Sequence, residues 1–364
     1  MESPIIMTLD AGGTNFVFNA IQNANEILEP INFQSNAHDL DLCLKTIIQG
    51  FDTISKQLPQ KPVAISFAFP GPADYKNGII GDLGNLPAFR GGVALGAMLE
   101  EYFQIPVFIN NDGDLFAYGE SKFGMLPEIN NRLKTKGSSK QFNNLFGVTL
   151  GTGFGGGLVN NGKLYLGDNG AGAEVWLMRN PLNNNSFVEE NISVRAIVRE
   201  YQVASNSNGA DITPFQIFNI GLGKLAGNKD AALLSFKKFG HALGQVLAEI
   251  VTITDSPIVI GGGLSDAYTL FAPEMLLQLN GKISDLNGNA INRLELQVFD
   301  ADNDRSFETF VQGELTQVKI PFSSKTVNYD PLKSICVGKT RLGTSKAIAL
   351  GAYAYAMDKL KLNC

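Results

Sequence analysis

Apolar positions along this chain change their spacing in a definite order, and that order predicts a layered α/β protein. Residues 5–34 carry apolar runs that predict three strands, with Asn23-Ala24-Asn25 turning the second into the third. Leu44, Ile47, Ile48, Phe51, Ile54 and Leu58 then fall at helical spacing. Residues 61–70 return to a strand pattern and stop at Pro70-Gly71-Pro72, a forced loop. A short helix around 93–103 leads into a strand at 105–109. That strand delivers Asn110-Asn111-Asp112 at its carboxyl end, where open α/β sheets place their ligands.

The second half repeats the opening. A strand runs into Gly151-Thr152-Gly153-Phe154-Gly155-Gly156-Gly157, much as the first strand runs into Asp10-Ala11-Gly12-Gly13-Thr14. After an asparagine-rich connection at 180–185 come helices near 191–203 and 214–225. A long amphipathic helix follows at 231–254, with Leu234, Phe239, Leu243, Val246, Leu247, Ile250 and Val251 facing inward. Residues 257–260 read as a buried strand entering Gly261-Gly262-Gly263, and the alanine-rich stretch 345–360 as a packed helix. The polar stretch 130–144 reads as an exposed loop or helix end. Residues 281–335 alternate, as in Leu294-Glu295-Leu296-Gln297-Val298 and Phe310-Val311-Gln312, which predicts strands with one face in water. This segment reads as an inserted β-rich flap or an oligomer contact.

The two glycine turns carry the first chemical signal. Glycines there let backbone N–H groups approach a phosphate without side chains in the way. Either turn alone is also what a tight hairpin looks like; as a pair they suggest two half-sites gripping one polyphosphate. Neither is a Rossmann loop, because Asn160-Asn161-Gly162 is hairpin chemistry and a strand, not a helix, follows the second turn. Gly338-Lys339-Thr340 resembles the end of a Walker loop, but the required upstream glycine is Lys333, so it reads as a surface loop.

Composition narrows the classes. The 364 residues are 44% apolar and 18% charged, with net charge −6, which fits a well-packed two-domain protein and leaves no basic run for nucleic acid. No apolar stretch approaches the roughly 18 residues of a membrane span. With no signal peptide visible and Cys43, Cys336 and Cys364 scattered singly, a cytoplasmic protein without a cysteine zinc cluster is expected.

Asp112 is the candidate general base, since phosphoryl transfer needs positioning plus one carboxylate to accept a hydroxyl proton. Asn111 beside it could hold a neighbouring hydroxyl, although an Asn-Asp pair after a strand is equally a helix N-cap or turn. Asp10, before the first glycine turn, would suit the water shell of a magnesium ion, or an Asx-turn. Glu174, after the small-residue run Gly170-Ala171-Gly172-Ala173, is a further acid that could instead be a solvated loop residue. Two histidines, His38 and His241, make a histidine-based triad an unpromising reading.

Taken together these motifs resemble the repressor/ORF/kinase (ROK) sugar kinases and bacterial glucokinases of the actin–hexokinase superfamily. The likeness runs through Asp10-Ala11-Gly12-Gly13-Thr14, Pro70-Gly71-Pro72 with Asn85-Leu86-Pro87, Asn111-Asp112, Gly151-Thr152-Gly153 and Val259-Ile260-Gly261-Gly262-Gly263. The resemblance implies an α/β fold of two ribonuclease-H-like lobes around a central cleft, with a β-rich insertion in the second. The first lobe would span 1–115, with a helix at 345–364 returning to it. The second would span 116–344 and contain the insertion at about 281–335. It implies ATP-dependent phosphorylation of a free hexose or N-acylhexosamine, with Asp112 as base and Gly71, Asn85, Asn111, Glu174 and Glu189 on the sugar. ATP would lie on Gly12, Gly13, Thr14, Gly151, Thr152, Gly153, Gly262 and Gly263, with Mg2+ near Asp10. The implied partners are sugar and ATP, with a homodimer by analogy, and neither nucleic acid nor membrane.

Two departures are visible. Leu177 stands where the family has a histidine three residues after the acid matching Glu174. Residues 179–187 replace the family's cysteine-bearing zinc loop, so no zinc is expected. Glu190 is a close rival of Glu189. The alternative is a non-catalytic sugar sensor.

Overall fold

The computed structural model describes residues 3–138, 140–207 and 211–362. Cys364 and the end of the 345–364 segment lie outside them. The elements open with β1 (Ile6–Ala11), β2 (Asn15–Gln22), β3 (Asn25–Glu26), β4 (Ile31–Gln34) and α1 (Leu40–Ser55). Then come β5 (Ala64–Ala68), β6 (Ala73–Asp74), β7 (Ile79–Ile80), α2 (Leu95–Phe103), β8 (Val107–Asn110), α3 (Asp112–Phe123) and α4 (Met125–Thr135). The middle holds β9 (Leu145–Leu150), β10 (Phe154–Asn160), β11 (Lys163–Tyr165), α5 (Val194–Ser205), α6 (Pro214–Gly221) and α7 (Lys229–Thr254). Next are β12 (Ile258–Gly261), α8 (Tyr268–Leu279), β13 (Lys282–Ser284), β14 (Ala290–Asn292), β15 (Gln297–Asp300) and α9 (Asp304–Gln312). The last are β16 (Thr316–Lys319), β17 (Thr326–Tyr329), β18 (Ser334–Lys339) and α10 (Thr344–Lys359).

Two compact units account for the chain. One is formed by Met1–Met125, Gly157–Ala173 and Arg341–Cys364, the other by Leu126–Gly156 and Glu174–Thr340. The first unit is built on a sheet ordered β3-β2-β1-β5-β8, with β4 also on β2. β1 and β2 are antiparallel, whereas β5 lies parallel to both β1 and β8. Period-two alternation divides β1 between two cores. Ile5, Met7 and Leu9 pack with Ile47 and Phe51 of α1 and with Leu95 and Leu99 of α2. Ile6 joins Ile21, Ala64 and the α10 residues Leu350, Tyr353, Ala356 and Met357 on the opposite face.

α10 packs tightly along α3 because glycines face each helix. A Cβ on Gly119 would overlap the Ala347 carbonyl, and one on Gly351 would overlap the Leu115 carbonyl. Between them lies Glu120, fully buried. Its Oε2 accepts the Met125 N–H at 2.8 Å, and its Oε1 accepts the N–H groups of Arg341 and Leu342 at 3.0 and 3.1 Å. A buried carboxylate is tolerable only with such donors.

The second sheet has the order β11-β10-β9-β12-β18-β15. β9, β12, β18 and β15 are mutually parallel neighbours, and β10 and β11 form an antiparallel hairpin. An opening strand beside a hairpin, followed by parallel strands, thus occurs twice. This is the duplicated core that the paired glycine turns implied.

Several expectations need correction. The third strand expected within 5–34 is split into β3 and β4 around Pro30, which has no N–H for a ladder. Gly338 and Lys339 are no surface loop but the end of β18, whose Ile335, Cys336 and Val337 are fully buried. Leu234, expected to face inward along α7, is 42% exposed, whereas the polar stretch from 130 does begin on a helix end, that of α4. Phe310-Val311-Gln312 belongs to a helix, α9, not a strand. Phe307, Phe310 and Val311 are its buried residues, at i, i+3 and i+4, a period that three residues cannot reveal. The 281–335 segment therefore contributes a core strand and helix as well as two exposed hairpins, β13–β14 and β16–β17.

Candidate functional site

Parallel pairing puts the carboxyl ends of β1, β5 and β8 along one edge of the first sheet. Asp10 is in register with Ala68, and Ala68 with Asn110. Asp10 and the residues just after Asn110 therefore stand roughly 10 Å apart in backbone, two strand spacings. Asn111 caps α3, its Oδ1 accepting the Gly113 N–H at 2.8 Å. That leaves its amide Nδ2 as the group able to meet a hydroxyl.

Asp112 is the first residue of α3, and its own Oδ1 also accepts the Gly113 N–H at 2.8 Å. Water reaches its side chain, yet the surrounding protein raises its pKa above the ordinary carboxylate value. Desolvation is the largest cause; the backbone N–H bonds oppose it, and the nearby Asp10 charge adds to it. Asp10 itself is solvent-accessible and is raised by partial desolvation. An accessible carboxylate with an upward-shifted pKa has the character of a proton acceptor.

The first glycine turn lies beside these acids. The Gly12 N–H donates to the Asn15 carbonyl at 3.0 Å. Ser35 donates its Oγ–H to Gly13 O at 2.6 Å and its N–H to Thr14 O at 2.9 Å. A Cβ on Gly13 would stand 3.1 Å from the Asn85 carbonyl, so this glycine and Asn85 touch. Thr14 and Asn85 are exposed. Gly71 packs under Tyr75, whose hydroxyl donates to the Phe69 carbonyl at 3.0 Å and pins the Pro70-Gly71-Pro72 loop.

The second glycine turn is closed by the Gly151 N–H on the Gly153 carbonyl at 3.0 Å. Thr152 between them is exposed. Gly262 has φ +82°, and a Cβ there would overlap the Leu150 backbone, so only glycine lets the end of β12 lie against the end of β9. Around Gly263 there is open space.

Glu174 is exposed, its Oε2 accepting the Trp176 Nε1–H at 2.5 Å. Trp176 in turn meets Phe187 edge-on. Leu177, in the place of the family histidine, is 58% exposed. Residues 179–187 form a loop closed by an antiparallel bridge between Arg179 and Phe187. The fully buried Asn180 donates from Nδ2 to Asn191 Oδ1 at 2.6 Å and to Phe187 O at 3.3 Å, and its Oδ1 accepts the Leu182 N–H at 3.0 Å.

Glu189 does not stand free. Its Oε2 accepts the Phe154 N–H at 2.9 Å, and its Oε1 accepts Arg195 Nη2 at 2.9 Å. Glu190 pairs with Arg195 at 2.8 Å and with Arg199 at 3.6 Å. The carboxylates hold the Arg195 guanidinium above its ordinary pKa, first through the Glu189 hydrogen bond. Sequence reasoning missed Asn180 and the use of Arg195, since both act through contacts distant in sequence. The mixed signal was present, because Arg195 is one of few basic residues near these acids.

Among the described residues no group of three or more His, Cys, Asp and Glu side chains could cage a metal, and no helix is long and apolar enough to cross a membrane. The model of the ROK family matches residues 6–291. A crystal structure of glucokinase from Parabacteroides distasonis superposes with TM-score 0.90 at 50% identity, covering 98% of each chain. The N-acetyl-D-glucosamine kinase of Vibrio cholerae is 28% identical over 73% of this chain and 86% of its own length. The glucokinase of Thermotoga maritima is 26% identical over 74% of this chain and 85% of its own. An α/β core duplicated around two glycine turns, with this likeness along its length, has the actin–hexokinase fold, and the chain belongs to the ROK family.

Proposed function

We propose that this chain is an ATP-dependent sugar kinase acting on a free hexose or N-acylhexosamine. The observation that carries the reading is the carboxylate of Asp112, accessible, raised in pKa and within electrostatic reach of Asp10 at the carboxyl ends of the parallel strands β1, β5 and β8. In the reaction, Asp112 accepts the proton of a sugar hydroxyl as that oxygen bonds to the γ-phosphorus of ATP. The bond from the γ-phosphorus to the bridging oxygen breaks, and ADP leaves with the electron pair. Apart from those of Gly12 and Gly151, which are bonded within their turns, the N–H groups of the two glycine motifs are suited to phosphate oxygens, and Asn85, Asn111 Nδ2 and Glu174 to sugar hydroxyls. Glucokinases and an N-acetylglucosamine kinase among the relatives support this substrate class.

Magnesium fits the donor set in one way. Asp10 is an accessible carboxylate without a cage around it, and this ion keeps most of its waters and takes few protein ligands. When bound it would offset charge on the phosphates; Asp10 would hold it through water.

A coupled ADP-release assay over glucose, mannose, N-acetylglucosamine and N-acetylmannosamine tests the reading. Turnover on one of these is expected, and Asp112→Asn is expected to reduce kcat by about 10²–10⁴ with little change in ADP affinity. Sugar binding without ADP release on any of them would make the chain a sensor instead of a kinase.

A further inference from the structure

The second glycine turn is held from outside by a short stretch of chain some 40 residues further on. Val194 donates its N–H to Gly151 O at 2.9 Å, and Arg195 donates from Nη1 to Thr152 O at 3.2 Å. Glu189 takes the Phe154 N–H at 2.9 Å and is itself held by Arg195 at 2.9 Å. The four contacts close a ring around residues 151–154. Glycine-rich backbone has little conformational preference of its own, so a turn that must present N–H groups in one arrangement needs such outside support. Gly153 is shaped to receive it: a Cβ there would stand 2.6 Å from Glu189 Oε2.

Both carboxylate oxygens of Glu189 are engaged in this ring. Each oxygen keeps a second lone pair, so these bonds fix the carboxylate in place and still leave it able to accept from a further donor. We propose that Glu189 and Arg195 are positioning residues that fix the second glycine turn for nucleotide phosphates. This rests on the kinase reading and gives Glu189 a task beside the sugar-binding role that family resemblance implies for it.

The test uses the full chain with Glu189→Gln, Glu189→Ala, Arg195→Lys, Arg195→Ala and the double alanine variant. ADP affinity is measured by calorimetry, which needs no turnover, and KM is measured separately for ATP and for the best sugar. Each alanine variant is expected to weaken ADP binding and raise the ATP KM on the order of tenfold, the loss of one charge-assisted hydrogen bond. The double variant should be scarcely worse than either single one, because the two side chains act as one unit. Glu189→Gln, which keeps an oxygen for the Phe154 N–H, should recover part of the loss, and Arg195→Lys a smaller part. In the Arg195 variants the sugar KM should stay within about twofold, taking tenfold discrimination as the scale of one lost hydrogen bond. A rise in sugar KM on Glu189 substitution with unchanged ADP affinity would overturn the proposal. If the wild type binds ADP yet phosphorylates no sugar, the kinase reading fails while the ADP series still decides the role of Glu189. A wild type that binds no ADP overturns both.

Discussion

The two glycine turns share a shape but are secured by different chemistry. The first is held by uncharged groups, with the Gly12 N–H on Asn15 and Ser35 giving two hydrogen bonds to Gly13 and Thr14. Ser35 is only 1% exposed. The second turn depends on Glu189 and on an Arg195 side chain that is 44% exposed. Neutral hydrogen bonds within the protein respond little to salt, whereas an exposed ion pair is screened and worth little on its own. One turn is thus fixed as part of its sheet, while the other is set by a pair of side chains that solution conditions can loosen.

The largest effect should come from crowding the turns themselves. A Cβ on Gly12 would stand 2.9 Å from a backbone oxygen, Asn15 O, whereas the Cβ on Gly153 would meet the end of a carboxylate side chain that can swing away. Gly12→Ala is therefore expected to cut kcat/KM for ATP on the order of 10²-fold, and Gly153→Ala by about tenfold, as misplacement of a positioned group predicts. Equal losses in steady-state kinetics would erase the distinction.

Stability should rank the same way on a smaller scale. Ser35→Ala leaves the half-buried Gly13 carbonyl without its partner and is expected to cost about 1–2 kcal/mol in urea unfolding. Arg195→Ala, at an exposed ion pair, should stay within about 1 kcal/mol. Raising sodium chloride from about 0.05 M to about 0.5 M should shrink the Arg195 difference and leave the Ser35 difference in place. A salt-sensitive Ser35 effect would contradict the division.

The smallest expected change concerns Asp112, on the same sheet edge as the first turn. Its folded pKa is raised, so the stability associated with its protonated form is complete below the ordinary value of 3.8 and is lost as pH rises through the folded value. At pH 7 the charged carboxylate is thus a liability to folding, and Asp112→Asn should raise Tm by roughly 1–3 °C. That gain should vanish near pH 3. In the wild type, the acidic limb of the kcat/KM profile should lie above the ordinary carboxylate range.

Much of the first unit was legible in the chain because its signals are local. Alternation in β1, the helical spacing of Ile47, Phe51 and Ile54, and Asn111-Asp112 after a strand each need only a short window. Of the two readings of Asn111, the helix cap is the one its Oδ1 bond from the Gly113 N–H bears out. Legibility failed where meaning depends on distant partners. Nothing near Glu189 announces that its carboxylate will meet the N–H of Phe154, 35 residues earlier. Asn180 looked like one asparagine among several until its burial singled it out. β18 was obscured by the suggestive Gly338-Lys339-Thr340, although the apolar run Ile335-Cys336-Val337 before it was the better guide.

The pairing of α3 with α10 also bears on how the chain leaves the ribosome. α3 ends at Phe123 and α10 begins at Thr344, so about 220 residues must be translated in between, roughly 10–45 s at ordinary elongation rates. During that interval Ile6, Ile21 and Ala64 have emerged without the helix that covers them. The nascent sheet must wait with one greasy side bare, a natural substrate for chaperones that shield newly made protein.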